Sequence, residues 1–270
     1  MNPELPKDFV FTASNLQTFR TCKYKFYLRY IKRVPWPAQI TMESIQFEAD
    51  REAGVRFHHL LHQFFLGFDP TQLRLIAEND TDDRMINWFD TFLASPYAHL
   101  QGVLEPEKTL RCDIDQHRYL AKFDLLQFET DRISIYDWKT SKNPPSINTL
   151  KTSLQTKLYP LILSKVSQDH LAIQFVYWEL NQPDQAFLID ITNDDLRLFE
   201  IELTSRCDEI SALPIYGFTK TDDFRRCSYC EYRSLCDRGV QAPSIKAIEE
   251  MDLFDLELYQ ETGNGEEELV

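Results

Sequence analysis

The chain has 270 residues, of which 43% are hydrophobic and 13% aromatic, so it can bury a substantial core. Only 7 glycines argue against a glycine-rich nucleotide-binding protein, and no apolar run approaches the roughly 20 residues that span a bilayer. The formal net charge of -14 disfavours a nucleic-acid partner at first sight, and the absence of an apolar leader favours a cytoplasmic protein over a secreted one.

Hydrophobic periodicity predicts three helices in the first third of the chain. The first runs from Thr12 to Ile31, with Ser14 as its N-cap. The second runs from about Ser44 to Leu66, and the third from about Asp82 to Leu93, where acidic residues suit a helix start.

The middle of the chain changes to the two-residue period of β-strands. Three strands joined by short turns are predicted at Leu110 to Ile114, Tyr119 to Phe128 and Ile133 to Trp138. A helix from Ser146 to Val166, which Pro160 should kink or end, precedes strands at Ala172 to Leu180 and Ala186 to Ile191 and a last helix from Asn193 to about Ala212. This order predicts an α/β fold with a mixed central sheet flanked by helices.

We expect one domain over residues 1–246, in which segments 10–35 and 215–240 form a lobe that joins the two chain ends. Residues 247–270 form a separate acidic tail, because they contain nine acidic residues and no basic one. The tail is expected to keep the protein soluble, although it is also suited to compete with DNA.

An acid–lysine pattern lies on two of the predicted strands. Asp124 sits within one strand, and Asp137 and Lys139 sit at the end of the next. Because strand side chains alternate, Asp137 and Lys139 share a face, and adjacent strands would bring Asp124 beside them. Two carboxylates can hold Mg²⁺ or Mn²⁺ for phosphodiester hydrolysis, while a lysine orients the water or stabilises developing charge. An Asp–Lys pair on a solvated strand face is the alternative for the tripeptide alone.

Four motifs occur in an order that is typical of one enzyme family. They read Gly54-Val55-Arg56-Phe57-His58, Ala121-Lys122-Phe123-Asp124, Asp137-Trp138-Lys139-Thr140 and Gln155-Thr156-Lys157-Leu158-Tyr159. Over most of residues 12–238 the chain resembles the RecB-like branch of the PD-(D/E)xK nucleases, which includes AddB-type nuclease domains and CRISPR-associated iron–sulfur exonucleases. Two departures are Ala121-Lys122, where the family usually has Gly-Arg, and Pro160 directly after Tyr159.

The resemblance implies a restriction-endonuclease-like core and a role for each motif. His58, Asp124, Asp137 and the Trp138 carbonyl would ligate Mg²⁺ or Mn²⁺, and Lys139 would be the catalytic lysine. Gln155 and Tyr159 would shape the site or contact DNA. His59 and His62 lie on the same helix as His58, and the spacing from Gly54 favours His58 over both.

The chain contains six cysteines: Cys22, Cys112, Cys207, Cys227, Cys230 and Cys236. Three of them crowd into a short segment, which indicates a metal or cluster site rather than disulfides. In the resembled family an early cysteine and a late C-x2-C-x5-C bind a [4Fe–4S] cluster, which implies Cys22, Cys227, Cys230 and Cys236 as ligands in an iron–sulfur lobe, with a stabilising rather than a redox role. Four thiolates also suit tetrahedral zinc, and Cys22 also fits an apolar helix stripe. Cys112 and Cys207 are expected to be ordinary buried thiols.

The first helix is basic although the chain as a whole is acidic. It interleaves Arg20, Lys23, Lys25, Arg29 and Lys32 with Phe19, Tyr24, Phe26, Tyr27 and Tyr30. This pattern is typical of a surface that tracks phosphates and stacks bases, and equally of a helix with core-facing aromatics and a solvated basic face. Four further arginines lie near the late cysteines: Arg225, Arg226, Arg233 and Arg238.

The leading hypothesis is a DNA exonuclease or endonuclease that acts on single-stranded ends or flaps in DNA repair, recombination or CRISPR adaptation. The sequence contains no helicase motif, so a helicase or CRISPR-adaptation partner would be a separate chain, and no membrane partner is expected. The alternative is a catalytically silent, nuclease-derived DNA-binding or assembly module with a structural metal cluster. Retention of Asp124, Asp137 and Lys139 favours the enzyme.

Overall fold

The computed structural model describes residues 5–6, 8–35, 42–141, 145–167, 171–227 and 230–239, with only the backbone of 42–48. The acidic tail predicted at 247–270 lies outside these residues. The described residues divide into two compact units, one within the ranges Met1–Arg51, Asp113–Tyr119 and Ile201–Val270, the other within Glu52–Cys112 and Leu120–Glu200. Within the described residues, no helix is both long enough and apolar enough to cross a membrane.

The described residues form helices and strands in the following order. The strands are β1 (Val10–Phe11), β2 (Val103–Ile114), β3 (His117–Phe128), β4 (Arg132–Lys139), β5 (Ala172–Glu179) and β6 (Ala186–Ile191). The helices are α1 (Ala13–Thr21), α2 (Lys23–Phe26) followed by a π-turn (Tyr27–Ile31), α3 (Met42–Phe65), α4 (Pro70–Glu78), α5 (Arg84–Ala94), α6 (Ile147–Lys151), α7 (Leu154–Val166) and α8 (Asn193–Ala212).

The second unit is built around a mixed sheet, as the sequence predicted. β4 pairs antiparallel with β3 and parallel with β5, and β5 pairs antiparallel with β6, while β2 also pairs with β3. Every residue from Ile133 to Trp138 is buried, because β4 is central and covered on both faces.

Helices cover the two faces of this sheet. On one face, Phe57 of α3 and Trp88 and Phe92 of α5 pack in the same apolar cluster as Trp138 and Trp178. Each such aromatic side chain contributes about 1.5–3 kcal/mol when it is fully buried. Because strand side chains alternate, the residues next to Trp138 on β4 and next to Trp178 on β5 face the other side of the sheet, where α7 lies.

The prediction for this unit needs three corrections. Helix α4 was missed, although Asp69 caps it and Pro70 occupies its first turn, both of which are start signals. Strand β2 begins at Val103 rather than Leu110. The helix predicted from Ser146 divides before Ser153, whose side chain caps α7, whereas Pro160 lies inside α7 without ending it. Pro160 and its helix neighbours are buried, although proline leaves one hydrogen bond of the helix unmade.

In the first unit, the helix predicted from Thr12 to Ile31 is broken at Cys22. The N-cap is Thr12, which forms a capping box with Asn15, and not Ser14. Cys22 adopts an extended backbone with φ of -159°, and its Sγ accepts a hydrogen bond from the backbone N–H of Lys25 at 3.4 Å. The cysteine therefore ends α1 and caps α2, which periodicity alone does not reveal.

An aromatic cluster holds the first unit together. The Phe218 ring stacks on Phe26 at 6.1 Å and on Tyr27 at 5.4 Å between ring centroids. β1 pairs in parallel with the start of β3, Val10 opposite Arg118. Cys207 of α8 is fully buried as predicted, whereas Cys112, which belongs to the second unit, is only partly buried.

Candidate metal centre and cysteine site

The acid–lysine motif lies where β3 and β4 separate. Leu125 is paired with Tyr136, so Asp124 and Asp137 follow one step beyond the last ladder pair. There the Asp124 side chain replaces the backbone ladder, because its Oδ2 accepts a hydrogen bond from the Trp138 N–H at 2.9 Å. The two strands thus bring both carboxylates to one end of the sheet.

Helix α3 carries His58 to the same strand end. A Cβ at position 54 would lie 3.0 Å from Thr140 Oγ1, tighter than ordinary van der Waals contact. Glycine at this position therefore allows α3 to approach the residue that follows β4, and His58 lies one helical turn later.

His58 bridges the two strands. Its Nε2 donates to the Trp138 carbonyl at 2.9 Å, and its Nδ1 lies 3.2 Å from Asp124 Oδ1. Burial disfavours the imidazolium, but the carboxylates of Asp124, Glu107 and Asp137 together favour it more, so the pKa of His58 is raised to about 9. At Asp124, burial disfavours the charged carboxylate, whereas His58 and the Trp138 N–H favour it, so the pKa of Asp124 is lowered. Three of the predicted ligand groups thus lie together.

Glu107 is a fourth group that the sequence reasoning missed. One ligand atom from each of His58, Glu107 and Asp124 can be chosen so that all three lie within 4.8 Å of one another. Glu107 lies within β2 but has a φ of 51°, an uncommon left-handed backbone for a residue with a side chain, and its Oε2 contacts Lys122 Nζ at 2.5 Å. An imidazole with two carboxylates is a donor set that suits Mn²⁺ or Mg²⁺.

Asp137 is engaged by the lysine and the glutamine of the other motifs. Its Oδ2 lies 2.9 Å from Lys139 Nζ, and its Oδ1 accepts a hydrogen bond from Gln155 Nε2 at 2.6 Å. Lys139 Nζ in turn donates to Gln155 Oε1 at 3.4 Å. Both ends of the Gln155 amide therefore hold the acid and the ammonium of the motif in fixed positions.

Tyr159 has a different environment from Gln155. It is buried, and its ring packs against Phe123 at 5.0 Å and Phe175 at 6.3 Å. These contacts place Tyr159 in the core between α7 and the sheet, so it supports the position of α7. His59 and His62 face each other at 6.2 Å between rings and are absent from the three-residue ligand group found among the described residues.

The first unit brings Cys22, Cys227, Cys230 and Cys236 to one cavity. Cys22 reaches it from the break between α1 and α2, and the other three come from the loop after α8. Burial raises the pKa of Cys230 to about 12 and also raises that of Cys236, so a compensating cation is needed to hold thiolates there. Four cysteine sulfurs around one cavity suit a [4Fe–4S] cluster or zinc.

A buried ion pair also joins the segments that carry these cysteines. Glu231 Oε2 lies 2.9 Å from Lys25 Nζ, and its Oε1 lies 3.4 Å from Arg29 Nη1. The Glu231 and Lys25 side chains are only 1% and 7% exposed. Burial disfavours both charges, but their attraction outweighs it, so the pKa of Lys25 is raised and that of Glu231 is lowered. The cysteine segments therefore contact each other through protein groups as well.

The first helix supplies fewer DNA-binding groups than its sequence suggests. Phe19, Phe26 and Tyr27 are buried, as the core-facing alternative predicted. Lys25 and Arg29 form salt bridges with Glu231. Exposed basic side chains are found at Arg20, Lys32 and Arg33.

Comparisons with known proteins found one matching family and several similar structures. The family model described as the PD-(D/E)XK nuclease superfamily matches residues 10–237. No curated protein matches the sequence. A crystal structure from Eubacterium rectale, of a protein provisionally named an exonuclease, is 12% identical with a TM-score of 0.49, and the match covers 93% of each chain. The crystal structure of SSO0001 is 12% identical with a TM-score of 0.41, over 88% of this chain and 90% of that one.

Proposed function

We propose that this chain, a phosphodiester hydrolase that belongs to the PD-(D/E)XK nuclease superfamily, degrades DNA at single-stranded ends or flaps. The observation that carries the proposal is the convergence of His58, Glu107 and Asp124 at the strand end that also holds Asp137 and Lys139. We assign His58, Asp124, Asp137 and the Trp138 carbonyl as ligands of Mg²⁺ or Mn²⁺, and add Glu107 to the same site.

The residues of the site have different roles in phosphodiester hydrolysis. A divalent cation held there supplies an acidified water and polarises a phosphoryl oxygen. Lys139 provides a fixed ammonium that stabilises charge developing on the phosphoryl group. Gln155 holds Lys139 and Asp137 in position, which lowers the reorganisation needed during the reaction. Tyr159 keeps α7, and with it Gln155, against the sheet.

We also infer that Cys22, Cys227, Cys230 and Cys236 bind a [4Fe–4S] cluster in an iron–sulfur lobe formed by segments 10–35 and 215–240. The shared cavity supports this assignment. Zinc is the alternative occupant of this site. The colour and the metal content of protein purified without oxygen distinguish zinc from the iron–sulfur cluster. A brown protein with broad absorbance near ~400 nm contains the cluster, whereas a colourless protein with stoichiometric zinc does not.

The activity is tested with single-stranded DNA labelled at either end and with a circular single strand, each with and without Mn²⁺. We expect metal-dependent loss of the linear strands, resistance of the circle, and no cleavage by Asp137→Asn. Asp190→Asn is the matched control, because Asp190 is an exposed acid of the same unit that pairs with Gln174. The choice of labelled end reports the polarity.

Two outcomes would redirect the proposal. Cleavage of the circular strand would replace the exonuclease with an endonuclease. Tight DNA binding by the wild type without cleavage under any metal would support the alternative of a catalytically silent binding or assembly module. We also propose a role in DNA repair, recombination or CRISPR adaptation, together with a helicase or CRISPR-adaptation partner. This role requires the chain to act on single-stranded ends or flaps.

A further inference from the structure

The guanidinium of Arg238 is aimed at a cysteine sulfur. Its Nη1 donates to Cys227 Sγ at 3.0 Å and to the Thr221 carbonyl at 2.6 Å. The guanidinium carbon lies 4.3 Å from the centre of the Phe224 ring. Two hydrogen bonds and an aromatic contact therefore fix the position of this cation. A solvated surface arginine would not have this set of contacts.

Neighbouring cations at the cysteine cavity point to oxygen acceptors instead. Lys220 Nζ donates to the Cys236 carbonyl at 3.1 Å, and Arg226 pairs with Asp223 at 3.3 Å. Lys25 is paired with Glu231. Arg238 also donates to an oxygen, but its second acceptor is a cysteine sulfur.

We propose that Arg238 is a positioning residue that stabilises the Cys227 thiolate and sets the reduction potential of the cluster; this rests on the proposed [4Fe–4S] assignment. A thiolate that accepts a hydrogen bond from a guanidinium donates less electron density to iron. Adding one electron to a cluster with four thiolates makes its charge more negative, and a fixed positive charge favours that state. The same charge opposes oxidation, so Arg238 also protects the cluster from oxidative loss.

The test compares Arg238→Met, which removes the charge and the donor, with Arg238→Lys, which keeps the charge. Arg225→Gln is the matched control, because Arg225 is 90% exposed and pairs with Asp223. Each full-length protein is purified anaerobically and assayed for iron and sulfide. The cluster is then titrated with dithionite as the electron donor and followed by electron paramagnetic resonance, and its loss in air is followed by absorbance.

At a fixed potential we expect the ratio of reduced to oxidised cluster in Arg238→Met to fall about tenfold, which for one electron equals about 59 mV. Arg238→Lys should lie between Arg238→Met and the wild type, and Arg225→Gln should match the wild type. Faster loss in air, or failure of Arg238→Met alone to retain the cluster, also supports the proposal. A loaded Arg238→Met with the potential and air stability of the wild type overturns the role of Arg238 alone. A wild type without iron and sulfide overturns the cluster assignment and this role together.

Discussion

Replacing Gln155 by leucine tests whether the amide that joins Asp137 to Lys139 contributes to catalysis. Leucine has a similar volume, so it keeps the packing of α7 but removes both hydrogen bonds. The bond from Nε2 to Asp137 Oδ1 is short and buried at 2.6 Å, whereas the bond from Lys139 to Oε1 is long at 3.4 Å. The first bond should therefore dominate the effect.

The magnitude follows from the charge of the acceptor. A hydrogen bond to a charged group contributes about 1.5–3 kcal/mol. If the positioning that it provides is needed in the transition state, kcat/KM should fall by about 10- to 150-fold in Gln155→Leu. Because Lys139 and Asp137 remain paired at 2.9 Å, we expect a partial loss rather than abolition.

The assay is the initial rate of degradation of a labelled single strand at substrate concentrations far below KM, with thermal unfolding of each protein recorded in parallel. Gln127→Leu is the matched control. Gln127 is also buried, accepts a hydrogen bond from the Tyr136 hydroxyl at 2.6 Å and donates to the Gln101 carbonyl at 2.7 Å. It should lose stability but keep its kcat/KM. A folded Gln155→Leu with the kcat/KM of the wild type would refute the positioning role.

Three further substitutions test other parts of the structure. Glu107→Gln should weaken Mn²⁺ binding by about tenfold in calorimetric titration without DNA, because a neutral amide replaces a carboxylate of the ligand group. Glu231→Gln should lower the free energy of unfolding in urea by about 3–5 kcal/mol, because it leaves the buried Lys25 ammonium without its counter-charge. Arg84 lowers the pKa of Asp82 to about 2. The stability that Asp82 adds is therefore present above about pH 4 and is lost as the pH falls from there towards about 2. The difference in unfolding free energy between the wild type and Asp82→Asn should shrink over the same range.

Each of these three has a control in the same unit. Glu105→Gln alters a more exposed acid on β2 that pairs with Lys108, and should leave Mn²⁺ affinity unchanged. Glu209→Gln breaks the exposed pair with Lys23 and should cost under about 1 kcal/mol. For the third, the same comparison in an Arg84→Gln background, which lacks the guanidinium that pairs with Asp82 at 2.6 Å, should show a smaller pH-dependent difference. Equal effects in a variant and its control would contradict the corresponding explanation.

The sequence predicted the elements whose signals are local. Alternating side chains on β4 place Asp137 and Lys139 on one face and Trp138 on the other, and the structure has this arrangement. The mixed sheet flanked by helices is confirmed, because period and length distinguish strands from helices along most of the chain. Membership of the PD-(D/E)XK nuclease superfamily, indicated by four short motifs, is also confirmed. The RecB-like branch and the iron–sulfur lobe stay predictions. The assigned roles of the site residues remain predictions.

The features that were missed depend on backbone geometry or on distant partners. Glu107 acquires its position from a left-handed residue within β2, which no spacing rule reveals. Glu231 looks like one acid among basic residues, yet its partners Lys25 and Arg29 lie about two hundred residues earlier in the chain. The break at Cys22 depends on its sulfur accepting the Lys25 N–H, a contact that competes with continuation of the helix.

The carbonyl of Trp138 has a consequence for mutational mapping. This oxygen accepts the hydrogen bond from His58, whereas the indole of the same residue is buried in the apolar core. Alanine scanning would therefore classify position 138 as a core position, because every encoded amino acid retains the carbonyl. An amide-to-ester replacement of the bond that follows Trp138, introduced by nonsense suppression with the hydroxy-acid analogue of lysine at position 139, would weaken the acceptor while leaving the tryptophan ring and the Lys139 side chain in place.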